Sequence, residues 1–135
     1  DEAVLLGAVR AAAAQDVLTA HPHGIDRVLT ERGANLSGGQ RQRIGLARAF
    51  VADPPVLVLH NPTTAVDAVT EALLADGLAA ARRAGERGTV VITNSPALLR
   101  ITDRVAVIDA GRVVAEGPHE RLLADDARYR EEVLR

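Results

Sequence analysis

The feature that most restricts the fold is the apolar segment VLVL at residues 56–59. It shows no alternation of apolar and polar side chains, which predicts a strand buried on both faces, as in a parallel sheet. Two further apolar segments, at residues 89–93 and 104–109, also predict strands. Helical patterns separate the three segments, and strands that alternate with helices indicate an α/β fold.

The first third of the chain predicts helices. Residues 2–20 are rich in alanine and predict two short helices that are interrupted near Gln15. A loop with glycine and proline follows, and residues 39–52 then predict an amphipathic helix that Pro54 ends. The arginines expected to point mostly outward from this helix are Arg41, Arg43 and Arg48.

The rest of the chain continues the α/β pattern. Asp67 is expected to cap a helix that runs to about Ala84, and a short helix is expected after Ser95. The sequence DAG at residues 109–111 predicts a hairpin turn with glycine in the left-handed conformation. Two helices, at residues 120–124 and 128–134, are expected to close the chain.

Composition excludes several classes of protein. The formal charge of −2 and the pI near 6.1 argue against a nucleic-acid partner, which normally needs a basic surface. Phe50 and Tyr129 are the only aromatic side chains, too few for a base-stacking platform. The absence of cysteine excludes a disulfide scaffold, and no apolar run is long enough to cross a bilayer, so the segment is expected to be soluble. The use of arginine without lysine favours a bacterial source.

The sequence LSGGQ at residues 36–40 predicts an anion site. Ser37 can cap the following helix, and Gly38 and Gly39 allow backbone N–H groups to approach a ligand closely, as phosphate binding requires. Taken alone, these residues are more typical of an ordinary Ser-Gly-Gly turn before a helix.

Four segments in order make the pattern specific. They are LSGGQRQRIGLARAF (36–50), VLVLHNPTTAVD (56–67), TVVITN (89–94) and DRVAVIDAGRVVAEGPHERLL (103–123). Together they resemble the ATP-binding domain of exporter-type ABC transporters, which implies a P-loop NTPase-like α/β fold. No G-x-x-x-x-G-K-[ST] phosphate loop occurs in the chain, so the resemblance implies a partial, carboxyl-terminal part of that domain. Residues 1–53 would be the end of the helical subdomain with the signature helix, and residues 54–135 would run from the Walker B strand to the C-terminus.

The resemblance also implies binding residues. The LSGGQ signature would contact the phosphates of an ATP held by a second ABC subunit, through Ser37, Gly38, Gly39 and Gln40. Asp67 would belong to the D-loop. Glu31, Arg32 and Gly33 resemble a segment that faces the membrane domain in exporters.

Three further positions depart from the family pattern. His60 stands where an acid usually holds Mg²⁺, Asn61 where an acid usually serves as general base, and Asn94 where a switch histidine is usual. Neutral imidazole is a poor substitute for a carboxylate at a Mg²⁺ site, and an amide cannot accept a proton at useful pH. Outside this family, all three would be ordinary strand-end and loop residues.

The implied function is that of one half of a heterodimeric exporter. The chain would bind ATP with Mg²⁺, hydrolyse it weakly or not at all alone, and complete the catalytic site of an intact partner subunit. A transmembrane domain would be its other partner, which places it at the cytoplasmic face of the plasma membrane. The alternatives are an ABC ATPase of the DNA-repair or chromosome-maintenance type and a regulatory relic that does not bind ATP. The remaining histidines are expected to be solvated: His21, His23 and His119.

Overall fold

The chain divides into two compact units, residues 1–92 and 93–135. The computed structural model describes residues 1–83 and 85–135, so the predicted end of the helix near Ala84 lies outside the described residues. No helix within those two ranges is both long and apolar enough to span a bilayer.

The described residues of the first unit form four α-helices and two strands. Its elements are α1 (Glu2–Ala11), α2 (Gln15–Thr19), α3 (Gly38–Ala52), β1 (Val56–His60), α4 (Ala68–Arg82) and β2 (Gly88–Ile92), with 3-10 turns at Gly24–Asp26 and Glu31–Gly33. The break near Gln15, the amphipathic α3 and the Asp67 cap of α4 are as predicted. The predicted family subdivision near residue 53 stays a prediction.

Strands β1 and β2 pair in parallel, which confirms the predicted sheet type. Their register runs from Val56 opposite Gly88 to His60 opposite Ile92. The expectation that β1 is buried on both faces is wrong, because Leu57 is 7% exposed whereas Val58 is 61% exposed. Successive side chains of a strand point to opposite faces, so only one face of β1 is covered. A wholly apolar segment carries no polar residue that would mark the open face.

Helix α1 packs against both α3 and α4. Ala12 and Leu74 are completely buried in this region. Gly77 of α4 lies so near the end of α1 that a Cβ atom built on it would be 1.9 Å from the Ala11 carbonyl oxygen. The two helices therefore touch through backbone at this point.

Arg43 is buried, which corrects the expectation that it points outward. Its guanidinium donates to the Ala13 carbonyl (2.5 Å), to the Gly39 carbonyl (3.3 Å) and to the Asp16 carboxylate (Nη2 to Oδ2, 3.0 Å). The hydrogen bond from Arg43 lowers the pKa of Asp16. Ala13 is left-handed (φ 50°) at the break between α1 and α2, where its carbonyl needs a donor from elsewhere in the chain. Arg43 supplies it, whereas Arg41 and Arg48 are exposed as expected.

The Gly45→Ala substitution is expected to stabilise α3. Gly45 is exposed in the middle of the helix, and a Cβ atom there would meet nothing within 4 Å. Alanine loses less backbone entropy on folding than glycine, so the free energy of unfolding should rise by about 0.5–1 kcal/mol. Urea denaturation of the 135-residue chain measures this; a fall in the midpoint would contradict the open environment of Gly45.

The second unit is a hairpin with three short helices. Its elements are α5 (Pro96–Arg100), β3 (Val105–Asp109), β4 (Arg112–Gly117), α6 (His119–Asp125) and α7 (Ala127–Val133). Strands β3 and β4 are antiparallel, and Gly111 in the turn has φ 76°, as predicted. The core of this unit consists of Leu99, Val105, Leu122, Tyr129 and Val133.

His119 is buried, so the expectation that it is solvated is wrong. It is 3% exposed, and its Nδ1 lies 2.7 Å from the hydroxyl of Tyr129. Burial, with a smaller contribution from the charge of Glu120, raises the pKa of the Tyr129 hydroxyl. The pairing joins the first turn of α6 to α7 across ten residues, a contact that local sequence spacing does not reveal.

Candidate functional site

The N-terminus of α3 is built as a capping box. The N–H of Gln40 donates to Oγ of Ser37 (3.2 Å), and the N–H of Ser37 donates to Oε1 of Gln40 (3.0 Å). The N–H groups of Gly38 and Gly39 lie in the first turn, where a helix provides no acceptor for them. Together with the helix dipole, they favour an anion at this position.

The two glycines of LSGGQ differ in their surroundings. A Cβ atom at Gly38 would lie 3.9 Å from the Ala65 side chain, which is ordinary contact. A Cβ atom at Gly39 would lie 2.4 Å from the Ala65 carbonyl oxygen. Gly38 is exposed and Gly39 is buried. Gly39 is therefore required by packing within the chain, a reason that the sequence did not indicate.

The loop at residues 61–67 starts where β1 ends. The N–H of Asn61 donates to the carbonyl of Ile92 (2.9 Å), which extends the pairing of β1 with β2 by one residue. Asn61 is left-handed (φ 46°), a conformation that asparagine tolerates better than most residues. Its amide nitrogen lies 3.5 Å from Nε2 of the exposed His60. The end of β1 thus presents an imidazole and an amide at these two positions, and no carboxylate.

The residues at this loop do not fit a Mg²⁺ site. Magnesium requires several hard oxygen ligands, most often carboxylates with water. No group of three or more His, Cys, Asp or Glu side chains that could hold a metal ion occurs within residues 1–83 and 85–135. His60 offers an imidazole nitrogen and Asn61 one amide oxygen, and the metal-binding role of His60 stays a prediction.

Asp67 uses both carboxylate oxygens to cap α4. Oδ1 accepts from the N–H of Thr70 (2.9 Å) and from the N–H of Val69 (3.0 Å), and Oδ2 accepts from the Thr70 hydroxyl (2.8 Å). The hydrogen bonds from Thr70 hold the pKa of Asp67 below its ordinary value. Its geometry is explained by the cap, and its D-loop role stays a prediction.

Asn94 belongs to the second unit. Asn94 is exposed. The hydroxyl of the preceding residue, Thr93, accepts from the N–H of Ser95 (3.0 Å). Asn94 is two residues beyond the end of β2 in sequence. Its role at the position of a switch histidine stays a prediction.

The ERG segment forms a tight turn before α3. Arg32 is left-handed (φ 55°) within the 3-10 turn at Glu31–Gly33. Asn35 organises the chain around it, because its amide donates to the Val28 carbonyl (3.2 Å) and accepts from the N–H of Thr30 (3.2 Å). The turn is exposed, and its contact with a membrane domain stays a prediction.

Gln42 is the contact residue that sequence reasoning missed. Its Nε2 donates to the carbonyl of Asn61 (2.9 Å) and lies 3.4 Å from the hydroxyl of Thr64. Its Oε1 accepts from the N–H of Ala65 at 3.4 Å. Gln42 follows Gly39 by three residues, which places both on one face of α3. That spacing shows only that Gln42 and Gly39 share a face of the helix. It does not indicate that Gln42 contacts the loop at residues 61–67.

Comparison with known proteins identifies the family. Residues 8–64 match the family model of the ABC transporter. Multidrug resistance protein sirA of Leptosphaeria maculans is 41% identical over 128 residues, which cover 95% of this chain and 10% of that protein. The ATP-dependent lipid A-core flippase of Alkalilimnicola ehrlichii is 42% identical over 127 residues, which cover 94% of this chain and 21% of the flippase. The chain thus spans about a tenth to a fifth of the length of these relatives.

A solved structure shows the same fold. The structure of a bacterial Atm1-family ABC exporter with ATP bound is similar to this chain with a TM-score of 0.83 and 33% sequence identity. The match covers 98% of this chain and 23% of the exporter chain. The predicted family and fold class are thereby confirmed. The chain belongs to the ABC transporter family, and its fold is that of part of the family's exporter-type ATP-binding domain.

Proposed function

We propose that the chain is the ATP-binding part of an ABC exporter that works as a pair of unlike subunits. In this proposal, residues 37–40 contact the phosphates of an ATP held by the partner subunit. The chain's own site binds ATP and hydrolyses it poorly. The observation that carries the proposal is the contrast between a complete capping box at Ser37 and a His60–Asn61 pair that contains no carboxylate.

The N-terminus of α3 fits a phosphate group. Ser37 and Gly38 are exposed, so an anion from outside the chain can reach the first-turn N–H groups. The capping box holds Ser37 and Gln40 to each other, which fixes the turn before a ligand arrives. A fixed turn loses little conformational freedom on binding.

The chemistry of His60 and Asn61 supports slow ATP hydrolysis at the chain's own site. A water molecule that attacks the γ-phosphate needs a group to orient it and to accept its proton. The Asn61 amide can orient water by hydrogen bonding but cannot take the proton. His60 and Asn61 supply no carboxylate for Mg²⁺, so we assign Mg²⁺ binding at the hydrolysing site to the partner.

The relatives support a second partner, a membrane domain. The relatives include a flippase and a multidrug resistance protein, and the solved structure is an exporter. We therefore propose a transmembrane domain as the second partner and the cytoplasmic face of the plasma membrane as the location.

Substitution of Asn61 or His60 by alanine is expected to leave ATP turnover by the assembled pair within about twofold of the parent rate. Neither residue serves the partner's site in this proposal, so no catalytic group is lost. Steady-state ATPase measurements on the full-length pair test this, with removal of the acid at the partner's equivalent position as the positive control. A loss of about 100-fold from Asn61→Ala is the size expected for a catalytic group, and it would refute the proposal.

A further inference from the structure

Gln42 lies in the second turn of α3, just after residues 37–40. We infer that Gln42 is a positioning residue that fixes the 61–67 loop against the first turn of α3. This role rests on the proposed function, in which residues 37–40 and Asn61 belong to different ATP sites. Gln42 would then connect the two sites. A displacement of the loop backbone would be transmitted to residues 37–40 through Gln42, which bonds the carbonyl of Asn61 and not its side chain.

The contacts of Gln42 support this role. Its amide nitrogen reaches two acceptors of the loop, the carbonyl of Asn61 (2.9 Å) and the hydroxyl of Thr64 (3.4 Å). The same amide accepts from the N–H of Ala65 through its oxygen (3.4 Å). One side chain thereby contacts both ends of the turn that carries the left-handed Asn61.

The packing at Gly39 makes the connection stiff. The Ala65 carbonyl approaches Gly39 so closely that no Cβ atom fits between them. The loop cannot move toward α3 without a clash, and it cannot move away without breaking the bonds of Gln42. Close-packed contacts of this kind transmit displacement instead of absorbing it.

The opposite side of the loop is also fixed. The N–H of Asn61 donates to the Ile92 carbonyl in β2 (2.9 Å). A displacement of β2 or of the β1 end would therefore reach the first turn of α3 by two steps, through Asn61 and then through Gln42. Both steps lie within the first compact unit.

The donor group of Gln42 can be separated from its shape. Gln42→Glu keeps the length and the acceptor but loses the N–H donor, and it places a carboxylate oxygen against the Asn61 carbonyl. Gln42→Lys keeps a donor for the Asn61 carbonyl, loses only the long 3.4 Å contact with the N–H of Ala65, and changes the shape. Gln42→Ala removes both. Gly45→Ala, on the same helix, is the matched control because its Cβ meets no neighbour.

Amide hydrogen exchange in the full-length protein without nucleotide provides the first readout. The N–H of Val66 is the reporter, because it donates to the Thr63 carbonyl (3.3 Å) and makes no bond to Gln42. Its exchange should accelerate by about fivefold or more in Gln42→Glu and Gln42→Ala, as loss of one such hydrogen bond implies. Gln42→Lys and Gly45→Ala should exchange at nearly the parent rate.

ATP turnover by the full-length pair provides the second readout. Gln42→Glu and Gln42→Ala should lower kcat about tenfold with little change in KM, whereas Gln42→Lys should keep most of the parent kcat. If the glutamate variant matches the parent in both readouts, or if the lysine variant is as impaired as alanine, the inference is wrong. If the exchange pattern appears as expected but turnover survives Ser37→Arg, the loop contact stands and the proposed function fails.

Discussion

Replacement of Ser37 by arginine should lower ATP turnover by the assembled pair at least about 100-fold, the cost typical of losing a preorganised anion-stabilising group. Ser37 is the N-cap of α3 and is exposed beside the first-turn N–H groups. A long side chain at this position would occupy the space that the proposal assigns to a phosphate. It would also remove the hydroxyl that accepts from Gln40.

The cap and the anion site can be tested separately. Aspartate and asparagine are both strong N-caps, so neither substitution should destabilise α3 appreciably. Ser37→Asp adds a negative charge where a phosphate is expected, whereas Ser37→Asn does not. Turnover should therefore fall far more in the aspartate variant than in the asparagine variant. Equal turnover in the two variants would show that residues 37–40 do not face an anion.

The Gly77→Ala substitution should lower the free energy of unfolding by at least about 3 kcal/mol, the upper range for overpacking in a filled core. The added Cβ would lie 1.9 Å from the Ala11 carbonyl oxygen and 2.7 Å from its carbonyl carbon. Both neighbours are backbone atoms, so no side-chain rotation relieves the clash. Helices α1 and α4 must separate, which opens the region around the fully buried Ala12.

Gly45→Ala is the matched control for this result. It makes the same change in another helix of the same unit, where the Cβ meets nothing, and it should raise stability. Urea denaturation of the 135-residue chain compares the two midpoints. Similar midpoints for Gly77→Ala and the parent chain would contradict the close approach of α1 and α4.

The local structure could be predicted because its determinants lie close together in sequence. Asp67 precedes a helical pattern and caps it, and residues 109–111 combine aspartate with glycine at a hairpin. Ser37 and Gln40 are three residues apart, the spacing that a capping box requires. Patterns of this kind also carried the resemblance to the ABC family, which the comparisons confirmed.

The long-range contacts could not be predicted from these patterns. Arg43 has the spacing of an outward residue, but it is buried because the break between α1 and α2 leaves the Ala13 carbonyl in need of a donor. His119 is buried because α7 folds back and presents Tyr129. Gln42 contacts a loop that follows the next strand along the chain. In each case the partner is set by packing between elements, which a single sequence does not encode locally.

ATP turnover by the purified full-length protein, measured alone and with the proposed partner subunit, decides whether the His60–Asn61 site hydrolyses ATP. We expect ATP binding but negligible hydrolysis by the protein alone, and turnover on addition of the partner. Brisk hydrolysis by the protein alone would show that the His60–Asn61 site is catalytically competent, and it would contradict the account.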